Sequence, residues 1–352
     1  MNLKRFVARG ICLLLCLMLV AAITPAKTYS EPPSPRAELP LAYDSKTNQV
    51  LMFGGVFGDM NQKLRFNNQT WIYDVAENTW TQVKPLVSPG PRDNVMLAYD
   101  STSDVFVLFG GSSETIGLQD TWIFDMKTLT WTQKVNGPPN HHGGSMVYDS
   151  KADRMLVFGG FDFEKNEATN DLWSYDYNTD TWTELTPAIS PVGRNYPSMA
   201  YDSKADKVIL YGGWGTVEPT KDLWVYDYNT NTWTQRELTG GPSSWVFQNI
   251  SYDSISDRIL LYGGYSGAPP APFWDYSAIS SETWAYDVSS NSWMQLTPAR
   301  NPGPIMNAGQ VYLPSIDRLF LFGGRRANGN CTNKSWLYDY SANTWTQMTL
   351  EP

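Results

Sequence analysis

Tyr201-Asp202, Lys207-Val208-Ile209-Leu210-Tyr211-Gly212-Gly213, Leu223-Trp224-Val225-Tyr226 and Asp227-Tyr228-Asn229-Thr230-Asn231-Thr232-Trp233-Thr234 decide the fold of this chain. Short runs of β-branched and aromatic residues alternate there with clusters of Gly, Asn and Asp, the signature of strands joined by tight turns. Lys207 to Tyr211 and Leu223 to Tyr226 read as strands, Asp227 to Asn231 as a turn, and Thr232-Trp233-Thr234 opens a further strand. With the apolar stretch that ends in Tyr201-Asp202, this makes four strands.

The phrase recurs six times. Tyr-Asp stands at Tyr43-Asp44, Tyr99-Asp100, Tyr148-Asp149, Tyr201-Asp202 and Tyr252-Asp253, and the sixth copy reads Tyr312-Leu313. Gly-Gly follows in every copy, from Gly54-Gly55 to Gly323-Gly324. A first tryptophan comes at Trp71, Trp122, Trp173, Trp224, Trp284 and Trp336, and a second at Trp80, Trp131, Trp182, Trp233, Trp293 and Trp345. A four-stranded sheet cannot bury both of its faces alone, and sheets packed radially bury them against one another. The tryptophans and the Tyr-Asp tyrosines are therefore expected between blades, and the glycines where the backbone must turn tightly.

Gly-Gly, then Tyr-Asp, then Trp, repeating about every 50 residues, closely resembles the kelch repeat. The resemblance implies an all-β, six-bladed kelch-type β-propeller with four antiparallel strands per blade. It covers nearly all of a single domain, 27–352, with repeats at about 36–83, 92–134, 141–185, 194–236, 245–296 and 305–348. The chain begins with a first strand near Leu39 and ends with a fourth near Trp345, so each blade is expected to be continuous in sequence.

Residues 1–26 read as a signal peptide. Lys4, Arg5 and Arg9 precede an apolar run from Ile11 to Ile23, and Thr24-Pro25-Ala26 supplies small residues for cleavage. The run is short for a membrane span, which needs about 20 residues. The expectation is a secreted, periplasmic or cell-surface protein with no span left after cleavage. Cys12 and Cys16 leave with the signal, so Cys331 has no cysteine in the mature chain to pair with. The 352-residue chain carries a formal charge of −9. Loss of three positive charges makes the remainder more acidic, which argues against nucleic acid and anionic membranes as partners.

Binding usually sits on variable loops held by a rigid scaffold. Here the loops into the first strand and between the second and third vary, while the two tight turns on the opposite face repeat. Seven residues upstream of the first Tyr stand Arg36, Arg92, His141, Arg194, Trp245 and Ile305. In kelch domains an arginine at this position commonly faces the central mouth. The next two positions add Glu38, Asp93, Asn94, His142, Asn195, Tyr196, Phe247 and Asn307. The expected ligand site is thus Arg36, Arg92, Asn94, His141, Arg194, Asn195, Tyr196, Trp245 and Asn307, joined by Trp214 from the ring-rich segments after Gly-Gly (Phe161, Trp214, Tyr265). Guanidinium forks suit carboxylate or phosphate. In the competing reading these arginines pair with acids such as Asp93 and Glu38 and only stiffen the ring. The longest loop, Tyr265 to Ser281, adds Phe273, Trp274 and Tyr276.

The leading functional expectation is a propeller that binds a protein or a glycan at this face. No cofactor and no metal site is expected. Adjacent histidines in an extended strand point to opposite sides, so His141 and His142 do not suit one metal, and a copper-radical oxidase is excluded. Asp176-Tyr177-Asn178-Thr179-Asp180 lacks the glycine and the distal glutamate of a calcium loop and reads as a blade turn. A fold-level likeness to secreted six-bladed sialic acid epimerases suggests one enzymatic alternative. There Arg92 and Arg194 would hold a sugar carboxylate, and Glu38 or His141 would move the proton. A purely structural surface propeller is the third reading.

Overall fold

The computed structural model describes residues 31–58, 64–113, 116–139, 141–267 and 275–349. The segment read as a signal peptide, 1–26, and the loop residues Phe273 and Trp274 lie outside them. Six four-stranded antiparallel sheets follow one another along the chain, each built from consecutive strands. We label the strands a to d from the axis outward. Blade 4 is typical, with a at Ser198–Asp202, b at Lys207–Tyr211, c at Leu223–Asp227 and d at Thr232–Arg236. The a strands of the other blades are Leu41–Asp44, Met96–Asp100, Ser145–Asp149, Asn249–Asp253 and Gly309–Leu313. Among the described residues the single helical element is the short turn Tyr276–Ala278.

The turns explain the repeated Tyr-Asp. In blade 4 the Asp202 carboxylate accepts from the backbone N–H groups of Lys204 and Ala205 at 3.0 and 2.9 Å. The Tyr201 hydroxyl then donates to Asp206 five residues on, at 2.8 Å. Asp206 has φ 61°, the left-handed region that Asn and Asp tolerate. The c–d turn repeats the device, with Tyr226 donating to Asn231 at 2.8 Å. Blade 2 tests the logic, because Phe124 replaces the tyrosine there and Leu129 replaces the acceptor. Donor and acceptor are lost together.

Blades join through their aromatic rings. The second tryptophan of each blade packs on the residue before Gly-Gly in the preceding blade. Phe53 meets Trp131 at 5.3 Å, Phe109 meets Trp182 at 4.5 Å, Phe158 meets Trp233 at 5.3 Å and Tyr262 meets Trp345 at 4.7 Å. Trp80 of blade 1 meets Phe322 of blade 6 at 4.7 Å, so the ring closes by the same contact. Each such pair contributes about 0.5–1.5 kcal/mol beyond the area it buries. No strand is exchanged between the ends among the described residues. The Tyr-Asp tyrosines have two neighbours. Tyr43, Tyr99, Tyr148, Tyr201 and Tyr252 pack in or against the clusters between blades, as expected, and together with Tyr312 they also line the axial channel, while strand c tyrosines such as Tyr175 and Tyr226 are buried more deeply between blades.

Gly-Gly is the second joint. Gly212 has φ +67°, and a Cβ there would lie 2.4 Å from the Trp245 carbonyl of the next blade. The same approach recurs at Gly54, Gly159, Gly263 and Gly323. The second glycine donates its N–H to that carbonyl: Gly55 to Arg92 at 3.0 Å, Gly213 to Trp245 at 2.6 Å, Gly264 to Ile305 at 2.9 Å and Gly324 to Arg36 at 2.8 Å. Gly212→Ala is therefore expected to cost roughly 2–3 kcal/mol in chemical denaturation. Gly90→Ala, where a Cβ meets nothing within 4 Å, is expected to stay within about 1 kcal/mol of the parent chain.

Candidate functional site

Strand a does not begin at the arginine position. A lead-in segment first pairs with the residues after Gly-Gly: Ala37 with Val56, Asp93 with Ser112, His142 with Phe161, Asn195 with Trp214, Val246 with Tyr265 and Met306 with Arg325. The next residue in every blade then turns sharply, at Glu38, Asn94, Gly143, Tyr196, Phe247 and Asn307, with φ between 46° and 62°. These six residues form a ring at one mouth of the channel. Backbone N–H groups run round it, from Glu38 to the Asn307 carbonyl at 2.9 Å, Asn94 to Glu38 at 3.2 Å, Tyr196 to Gly143 at 2.7 Å and Asn307 to Phe247 at 2.8 Å. The channel beneath has a volume of about 510 Å³ and ends at the tyrosine ring on the opposite face.

The left-handed turn sends the preceding side chains away from the mouth. Arg36, Arg92, His141, Arg194, Trp245 and Ile305 are all buried inside the blades. Arg194 donates to the Val192 and Gly212 carbonyls at 3.0 and 3.1 Å and makes a fork on Asp222 at 2.6 and 3.0 Å. Arg92 repeats this on the Gly90 and Gly110 carbonyls and on Asp120, at 2.5 and 2.8 Å. Arg36 uses Ser34, Gly54, Asn67 and Gln69. His141 takes the same place in blade 3, with Nδ1 2.7 Å from the Gly159 carbonyl and Nε2 3.1 Å from Asp171.

The partner on strand c also holds the first tryptophan, since Trp122, Trp173 and Trp224 donate to Asp120, Asp171 and Asp222. Burial raises the Asp120 and Asp222 carboxyls, but the paired guanidiniums and tryptophan N–H groups outweigh it and hold both below the ordinary carboxylate value. Against the same burial, His141 helps to bring Asp171 down to about 2. The expected ring of guanidiniums at the mouth is thus corrected. The arginines stiffen the blades, as the competing reading held, but on strand c acids and Gln69 rather than on Asp93 or Glu38.

Of the expected site residues, the structure brings Glu38, Asn94, Tyr196 and Asn307 together at the mouth, and it adds Phe247, Asp93 and His142. Asn195 lies behind the ring and its side chain accepts from the Tyr196 N–H at 3.0 Å. Trp214 packs on buried Trp245 at 4.9 Å. The mouth is divided chemically. On one side Glu38 accepts from Asn94 at 3.3 Å and from Asn307 at 3.5 Å, and Arg325 approaches it to 4.0 Å. Asp93, buried and bonded to the Ser112 hydroxyl at 2.5 Å, is in hydrogen-bond contact with Glu38. Burial first, and then the Glu38 charge, holds the Asp93 carboxyl far above the ordinary carboxylate range.

On the other side rings follow one another: Phe163 to His142 at 5.1 Å, His142 to Tyr196 at 5.8 Å and Tyr196 to Phe247 at 4.7 Å. The His142 Nε2 lies 3.1 Å from the Tyr196 hydroxyl, and burial lowers the imidazole to about 4. Burial, with Glu38 and Asp93 nearby, raises the Tyr196 phenol. The ring position carried a sequence signal, because Asn94, Gly143 and Asn307 are residue types that favour a left-handed backbone.

This architecture agrees with the comparisons. A family model described as Attractin/LZTR1 beta-propeller matches residues 21–201, and one described as Kelch motif matches residues 203–236. The chain belongs to the Attractin/LZTR1 family of kelch-repeat β-propellers. This kelch propeller is 30% identical over 182 residues to Kelch domain-containing protein 2 of Bos taurus, covering 49% of this chain and 42% of that protein. It is 24% identical over 298 residues to Kelch domain-containing protein 3 of Homo sapiens, covering 79% and 75%. It is 27% identical over 185 residues to N-(sulfonatooxy)prop-2-enimidothioate sulfolyase of Thlaspi arvense, covering 51% and 49%. The chain thus spans less than half the length of the bovine and plant relatives.

Two outcomes follow for this propeller. Arg194→Ala strands Asp222 against the blade and is expected to lower unfolding free energy by roughly 3–5 kcal/mol in denaturant titrations. The raised Asp93 carboxyl means that the folded chain keeps a proton that the unfolded chain loses above the ordinary carboxylate pKa. Its contribution to stability therefore declines as pH rises through the neutral range. Asp93→Asn is expected to flatten that decline between pH 5 and 9, and an unchanged slope would show that Asp93 ionises normally.

Proposed function

We propose that this kelch propeller works outside the cytoplasm and binds a protein partner with the face that carries the channel mouth. The uneven placement of exposed apolar side chains supports this. Ile116, Phe163 and Val217 stand exposed on the b–c loops of blades 2, 3 and 4, and Leu86, Val87, Ile189 and Val192 on the linkers into strand a. All seven belong to the mouth face. The opposite face consists of tight turns that expose two large apolar side chains, Ile255 and Ile316, and whose Asp and Asn side chains are spent on their own backbone and tyrosines. Exposed apolar groups gathered on variable loops mark a protein-contact surface.

A protein fits this face better than a glycan. Sugar stacking needs open rings, and Phe163, 43% exposed, is the one exposed aromatic side chain among the described residues. The acidic-sugar epimerase reading loses its grip on the substrate, because both arginines assigned to the sugar carboxylate are buried on Asp120 and Asp222. Export rests on the basic and apolar pattern of residues 1–26.

The test is capture from a surface extract of the source cells with the parent chain and two folded double variants. A protein retained by the parent and by Ile255→Ser/Ile316→Ser on the opposite face, but lost on Phe163→Ser/Val217→Ser, is expected. Equal retention by all three would rule out the mouth face.

A further inference from the structure

The division of the mouth has a chemical meaning. Two carboxyl groups, Glu38 and Asp93, are neighbours at the mouth, and burial together with the Glu38 charge favours the protonated form of Asp93. Opposite them stand the rings of Tyr196 and Phe247, 4.7 Å apart and part of the channel lining. A carboxylate facing aromatic rings across an open cavity suits a cation carried on an apolar stem. The head meets the carboxylate, and the methylenes and the charge meet the rings.

Two buried side chains at the mouth are short of hydrogen-bond partners. Arg325 is fully buried with its Nη2 4.0 Å from Glu38, and neither that nitrogen nor its Nε has a hydrogen-bond acceptor. His142 is 7% exposed, and its Nδ1 has no hydrogen-bond partner while its Nε2 faces the Tyr196 hydroxyl. Arg325 also sets the charge balance. It offsets Glu38 from behind, so the charge that receives an incoming cation is the one Asp93 gains by losing its proton.

We propose that the mouth seats a lysine or arginine side chain presented by a protein partner, with its stem against Tyr196 and Phe247 and its head at Glu38 and Asp93. This rests on the reading of the face as a protein-contact surface and names the chemistry of what enters it. The acidic character of the whole chain, at formal charge −9, steers such a partner in the same direction. Seating the cation favours ionised Asp93, so binding releases a proton. The other groups facing the pair are Arg325, Tyr196, the Ser112 hydroxyl and His142, whose depressed basicity leaves it neutral across the range tested.

Calorimetry of the full chain with three capped heptapeptides, identical except for a central arginine, norleucine or glutamate, tests the proposal. The arginine peptide is expected to bind at least about tenfold more tightly than the other two. Its affinity should rise from pH 6 to 8.5, with proton release visible as a dependence of the heat on the buffer. Glu38→Gln and Phe247→Ala should each weaken it about tenfold. Asp93→Asn, which keeps an acceptor for Ser112, should remove the pH dependence. If Glu38→Gln fails to fold, Phe247→Ala and Asp93→Asn still decide the matter. Equal binding of the three peptides, no binding of any, or arginine-peptide binding indifferent to a folded Glu38→Gln and to Phe247→Ala would overturn it. Partner capture that depends on Phe163 and Val217 but not on Glu38, with no preference among peptides, would sink this inference and leave the wider reading standing.

Discussion

The close approach of one blade's lead-in carbonyl to the glycine pair of the blade before it governs the rest of the molecule. Trp245 O lies where a side chain on Gly212 would be, and Arg36 O stands in the same relation to Gly323 across the closure of the ring. Two consequences follow from that contact. The blades are brought close enough for Phe53, Phe109, Phe158 and Phe322 to meet the tryptophan of the neighbouring outer strand. The lead-in segment is also pinned before it reaches the axis, so the chain must turn left-handed at Glu38, Asn94, Gly143, Tyr196, Phe247 and Asn307 to enter strand a. The mouth is made by that turn.

The same constraint explains why an acidic protein buries arginines so deeply. Arg36, Arg92 and Arg194 reach back across the glycine pair of their own blade, and the last two meet a strand c carboxylate that also receives a tryptophan N–H. A buried guanidinium is costly unless its donors are matched, and in Arg92 and Arg194 backbone carbonyls and the carboxylate together match them. His141 shows that the slot asks for donors on both sides of a flat group rather than for arginine as such. With the guanidiniums spent inside the blades, the mouth is left to a carboxyl pair and an aromatic arc, the reverse of the electrostatic character that arginines at its rim would give.

The architecture was legible because it is local and repeated. Tyr201 with Asp202 and Asp206, or Tyr226 with Asn231, completes its hydrogen bonds within a few residues, so the pattern can be read off the chain. Blade 2 obeys the rule even in its exception, where Phe124 and Leu129 change together. The division into two unlike faces was legible for the same reason, since the tight turns repeat and the loops of the face proposed for binding vary. The site was legible only in part. Asn94, Tyr196, Asn307 and Glu38 lie where the lead-in segments were expected to converge. The arginines lie two residues earlier in those segments and point the other way, and Phe273 and Trp274 fall outside the described residues.

The sequence by itself determined the six blades, their four strands, the turn chemistry and the order in which the blades follow one another, because each depends on residues close together in the chain. Only the tertiary structure decided which residues meet at the mouth. Glu38, Asp93, His142, Tyr196 and Arg325 come from five different blades, and closure of the ring is what places them together. It also decided the phase between buried and open positions. One left-handed residue per blade settles that Arg92 is locked on Asp120 while Asn94 reaches Glu38, and that geometry is imposed by the packing of the neighbouring blade.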